Sequence, residues 1–153
     1  MKMENLIKIY QEQLENLEGL LETGISKQKS IVDNSRELIE KYTSQEESFM
    51  SKINRKEIER QNMLQSLLAE NSENIDKMPS DGNELMEVLK KIADEDEMKA
   101  LYESREAITS AIKEIKGVNQ QNRFLLEQAN SVVKQTLAVM LKFQKKPIVD
   151  RRI

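Results

Sequence analysis

The side chains here that could take part in chemistry are carboxylates, lysines, arginines, hydroxyls and amides, because the 153 residues include neither cysteine nor histidine. Without a thiolate there is no sulfur nucleophile, no disulfide and no Cys/His zinc site. Without imidazole, whose ordinary titration lies near neutral pH, a Ser-His-Asp relay cannot be assembled. The Glu-x-x-His di-iron sites of helical bundles are excluded for the same reason. What remains is Asp/Glu pairs, Lys, Tyr and carboxylate-held Mg²⁺ or Ca²⁺, which need a concave pocket on a rigid scaffold. No Gly-rich phosphate loop, EF-hand series or paired-carboxylate signature supplies one. The expectation is a protein that is not an enzyme and uses no cofactor and no metal.

Two amides stand out instead. Asn119 and Asn122 fall inside a stripe that is otherwise apolar, where an unsatisfied amide costs roughly 1–3 kcal/mol. One reading is a register device, the best-attested use of a buried Asn in a helical seam. The other is that the amides bond to a neighbouring backbone or cap a crossing helix end.

The elements that hold these residues are helices. Four Gly, two Pro, no Trp and 4% aromatics are too few turn and strand residues for a sandwich or barrel, and 33% charged residues suit long solvated helices. Met3, Ile7, Tyr10, Leu14, Leu17 and Leu21 alternate steps of four and three, the spacing of a packed helical seam, with Gly24 at the next position. Asp33-Asn34-Ser35-Arg36-Glu37 interrupts the track, with Asn34 and Glu37 resembling a capping box. Residues 2–72 therefore read as one long bent helix or as two helices in succession. Asn54–Asn62, with Ile58 its only apolar residue, reads as a solvated stretch of helix projecting beyond its partners. Pro79 and Gly82 end that region, Asp81 and Glu84 offer an N-cap and its N3 partner, and a short helix spans about 83–93. The acidic run Asp94–Glu97 opens a last helix, about 95–143.

That last helix has the most regular pattern. Ile108, Ile115, Asn122, Ala129, Thr136 and Phe143 form a central seven-residue row. Ala111, Val118, Leu125, Val132 and Val139 flank it on one side, and Ile112, Asn119, Leu126, Val133 and Met140 on the other. A stripe this wide needs at least two neighbours. The fold class is all-α, an antiparallel, coiled-coil-like bundle of long helices in a single domain, 1–143. Leu137 and Leu141 lie outside all three rows, so the helix from Val132 to Phe143 is apolar around much of its circumference. Either the amino-terminal helix covers both faces there, or the end is a docking surface for a partner helix. Residues 144–153 read as a mobile tail carrying Lys145, Lys146, Arg151 and Arg152.

A net charge of −3 argues against nucleic acid as a partner. No apolar run approaches the ~18 residues of a membrane span, and the first residues lead into amphipathic sequence rather than a signal peptide. The expected location is the cytoplasm, with no membrane insertion.

Asn119-Gln120-Gln121-Asn122-Arg123-Phe124-Leu125-Leu126, an N-x-x-N-x-x-L-L pattern that opens the apolar helical end, resembles the FlgN family of flagellar export chaperones. The length, the Leu-rich first helix and the segment from Ser44-Gln45-Glu46-Glu47 through Ile53 to Arg60 fit the same family. The resemblance implies an all-helical cytoplasmic chaperone of flagellar type III export. Such a protein binds the terminal helical segments of the hook–filament junction proteins FlgK and FlgL, keeps them from assembling early, and delivers them to the flagellar export gate. In the family the C-terminal helix carries the client. On this chain that implies Asn119, Asn122, Leu125, Leu126, Val132, Val133, Leu137, Met140 and Leu141 as the client-binding residues. The tail after Pro147 departs from the family pattern. The competing expectation is a homo-oligomeric coiled-coil scaffold that pairs the same stripes with themselves, and weak self-association fits either reading.

Overall fold

The computed structural model describes the backbone of residues 2–74 and 78–152 and the side chains of 2–73 and 78–142. The chain forms α1 (Lys2–Val32), α2 (Arg36–Glu70), α3 (Gly82–Ile92) and α4 (Glu95–Arg152), with a 3₁₀ turn at Ser72–Asn74. No strand occurs among the described residues.

The first break is a true turn, so residues 2–70 are two helices. Asn34 takes a left-handed φ of 55°. Its N–H donates to the Ile31 carbonyl at 3.1 Å, and the Ser35 N–H donates to the Ser30 carbonyl at 2.9 Å. This pair of bonds is a Schellman closure, in which Asn substitutes for the usual Gly. Asn34 therefore ends α1, and the N-cap of α2 is Ser35, which makes no side-chain cap bond. The capping-box reading of Asn34 with Glu37 is corrected by this backbone, because an Asn that tolerates φ > 0 serves a helix end as readily as a helix start. Asn34→Val, which cannot take this φ without a Cβ clash, is expected to lower stability by about 1–2 kcal/mol. Asn34→Gly is expected to match or exceed the parent, and urea melts of the two variants check both.

The later helix starts use the acids that mark them in the sequence. Asp81 accepts the Glu84 N–H at 2.8 Å, while the Glu84 carboxylate reaches back to the Ser80 N–H, also at 2.8 Å. Asp94 and Glu97 form a reciprocal capping box, with bonds of 2.8 and 3.0 Å. At its other end α4 continues as helical backbone through Pro147 to Arg152. The end expected at Phe143 is corrected by that trace, since proline's fixed φ is itself helical and Pro147 forfeits one backbone bond. The tail's side chains lie outside the described residues.

α1 is the central helix, and α2 and α4 pack on it far more than on each other. Consecutive long helices alternate in direction, so α1 and α4 run parallel. The lower core joins all four helices through Met3, Leu6, Leu64, Leu67, Met86, Leu89, Met98 and Leu101. The upper core, Leu17, Leu20, Ala111 and Ile115 with Phe49 and Ile53 against it, joins α1, α2 and α4. Two glycines of α1 permit close approach there. The Phe49 ring lies on Gly19, where a Cβ would clash with it, and Val118 sits 3.2 Å from the same position on Gly24.

Between the two cores lies a polar layer, and it corrects the reading of Asn54–Asn62 as a projecting stretch. Here α2 is held to α1. The Arg60 guanidinium stacks 6.0 Å from the Tyr10 ring centroid and donates to Glu57 through Nε (2.8 Å) and Nη2 (2.5 Å). Lys56 pairs with Glu12 across the helices. Hydropathy counts these residues as solvated because it cannot see that their charges meet partners.

The same pairs make stability pH-dependent. Hydrogen bonds from Arg60 hold the Glu57 carboxyl below its ordinary value of 4.5, and Lys56 does the same to Glu12. A carboxylate whose folded pKa is depressed contributes stability that is whole above its unfolded value and is lost as pH falls through the folded one. Stability is thus expected to fall on acidification below about 4.5, the ordinary carboxyl value from which both are lowered. Glu57→Gln should flatten that acid limb, as thermal melts at pH 7 and pH 3 would show. Lys56 is raised above 10.5 by Glu12 and Glu59, so its contribution is whole below that value and fades in stronger alkali.

Candidate client-binding surface

α4 is 58 residues long and α1 is 31, and the two run in parallel from the same end. Gln28 donates to Gln121 at 2.9 Å, so the α1–α2 turn lies level with the middle of α4. Beyond it the backbone of α4 runs on for about 27 residues, or ~40 Å at ~1.5 Å per residue. Every described residue from Glu127 to Lys142 is exposed. The amino-terminal helix does not cover this end, because it has already turned back at Asn34.

The expected site residues divide along that line. Val132, Val133, Leu137, Met140 and Leu141 are 54–59% exposed, and so is Val139. Leu125 and Leu126 are half-buried where α4 leaves the bundle. Asn119 is exposed and, with Leu126, lines a recess of about 310 Å³ between α4 and the Lys27–Glu46 pair of α1 and α2. Asn122 is turned inward, 5% exposed, and its Nδ2 donates to the Gly24 carbonyl at 2.9 Å. Asn122 thus takes part in the packing of α4 on α1, and it also lines the recess beside Asn119. At Asn122 the two readings of the amides meet, because a bond to the Gly24 backbone in the seam also sets the register of α4 on α1. Gly24 permits the approach, a role that its seam position signalled only as a gap in an apolar row.

Sequence reasoning missed Phe124, which is 59% exposed beside this surface. It fell outside the three rows, and its neighbour Arg123, paired with Glu127 at 3.2 Å, marked that face as solvated. Among the described residues no group of three or more acidic side chains is arranged to hold a metal, and no helix is long and apolar enough to cross a membrane. The surface can offer dispersion, apolar burial and a few amides, which is the chemistry of helix recognition.

Residues 1–147 match the family model described as FlgN protein. The chain belongs to the FlgN family. No match was found among curated proteins or among solved structures. Membership in the FlgN family implies a flagellar export chaperone role, and the match includes both the bundle and nearly all of the free end of α4.

Proposed function

We propose that this FlgN-family protein is a cytoplasmic chaperone for hook–filament junction proteins of the FlgK and FlgL type. It covers their terminal helical segments and passes them to the flagellar export gate. The observation that carries the reading is the free end of α4, where Val132, Val133, Leu137, Val139, Met140 and Leu141 are all more than half exposed. Contiguous apolar surface of this kind marks an interaction site. A client helix laid along it would bury the apolar faces that otherwise drive premature assembly.

The mechanism is physical, with no chemical step and no cofactor. Leu125 and Leu126 sit where the free end meets the bundle, and Asn119 adds an exposed amide beside them. Asn122 acts indirectly, by fixing how α4 leaves α1. The test is calorimetry of the purified protein against synthetic terminal segments of the junction proteins, with light scattering alongside. Saturable binding to a monomer or weak dimer is the expected result. A stable elongated oligomer that ignores those segments would instead identify a homo-oligomeric scaffold.

A further inference from the structure

The lower core has four sides because α3 supplies the fourth. Above Gly82 that fourth side is missing. A trough of about 400 Å³ opens between α2 and α4, walled by Ile53, Ile108 and Ile112. Two polar groups at the trough lack full partners. Gln13 is 8% exposed; its Nε2 donates to the Ile53 carbonyl at 3.0 Å, and its Oε1 has no partner. A buried acceptor left empty is costly and calls for a donor. Arg105 donates to the neutral Asn83 amide oxygen at 3.2 Å and pairs with no carboxylate among the described residues.

Farther along α4 lies the separate upper recess beside Asn119 and Leu126, which Glu46 of α2 and Lys27 of α1 also line. The seven-residue row through Ile112, Asn119 and Leu126 then carries on to Val133 and Met140 on the free end of α4. From Arg105 to Met140 this track is ~50 Å long, about 35 residues of helix. Three long helices with a vacant corner are an incomplete four-helix bundle.

We propose that an amphipathic helix of the export client lies in this trough as the bundle's fourth helix and continues along α4. It presents a hydrogen-bond donor to Gln13 and an acidic group to Arg105. The inference rests on the chaperone reading and extends its contact surface from the free end into the bundle.

The test uses the full chain and a synthetic terminal helical segment of a junction protein. Ile112 is 39% exposed, so Ile112→Lys can be accommodated without unfolding. Ile112→Lys and Arg105→Glu are each expected to weaken binding about tenfold or more, and Ile112→Lys does so with melting unchanged. The chain has no cysteine, so Ile112→Cys carries a benzophenone label at one site only. It is expected to crosslink to the segment, while the same label at Glu15→Cys, on the exposed face of α1, does not. Unaltered affinity with no crosslink, while changes at Leu137 and Leu141 still remove binding, would confine the site to the free end and overturn this inference alone. No binding by the unaltered protein would overturn the chaperone reading and this inference together. A dimer that Ile112→Lys returns to monomer without any client would show that a second copy fills the trough, which also overturns it.

Discussion

Replacing Leu137 and Leu141 together by Lys is expected to abolish client binding while leaving helicity and melting temperature where they were. Both side chains are more than half exposed, at 54% and 57%. They pack against no other helix, so their removal takes nothing from the core, and surface changes of this kind typically shift stability by no more than about 0.5 kcal/mol. Lysine is also a good helix former. The effect on binding is different in scale. Covering a Leu with a partner's apolar surface is worth roughly 1.5–3 kcal/mol. Losing two removes about 3–6 kcal/mol, two to four decades in affinity. Placing two ammonium groups under a docked helix adds the desolvation of both charges. Calorimetry with the client segment measures the loss, and far-UV dichroism and a melt confirm the fold. Unchanged affinity would place the docking site elsewhere on the molecule.

The separation of binding surface from core was only half legible in the sequence. The all-α class and the three rows of the last helix could be read directly, because apolar residues at seven-residue spacing have no other economical explanation. Asp81 and Asp94 announced helix starts through their carboxylates. What the rows could not show was where their partner ended. That depends on Asn34, whose side chain suits a helix start and a left-handed helix end equally, and the structure uses the second. Once α1 stops at Val32, the free length of α4 follows by counting. The bond from Asn122 to Gly24 joins residues 98 apart and has no local signature. The pairing of Arg60 with Tyr10 likewise needs the register of two helices, which hydropathy does not encode. Local propensity and periodicity were visible; relative length and register were not.

A core substitution should have the opposite profile. Leu89 is fully buried, 0% exposed, and ties α3 to the lower core beside Leu6, Leu64 and Leu101. α3 has 11 residues, too few to persist as a helix without tertiary packing. Leu89→Ala removes the transfer energy of the side chain and leaves a cavity that the surrounding helices only partly collapse, a cost of about 2–5 kcal/mol. Against a total stability of roughly 5–15 kcal/mol this is a large fraction. At roughly 2–4 °C per kcal/mol for a domain of this size, the melting temperature is expected to fall by about 5–20 °C. The free end of α4 makes no contact with Leu89, so the folded fraction of the variant should still bind the client segment with its affinity little changed at low temperature. Weakened binding by the fully folded variant would mean that the packing of α3 shapes the docking surface as well as stabilising it. Retained binding would mean that Leu89 acts through the stability of the bundle and is no part of the docking surface.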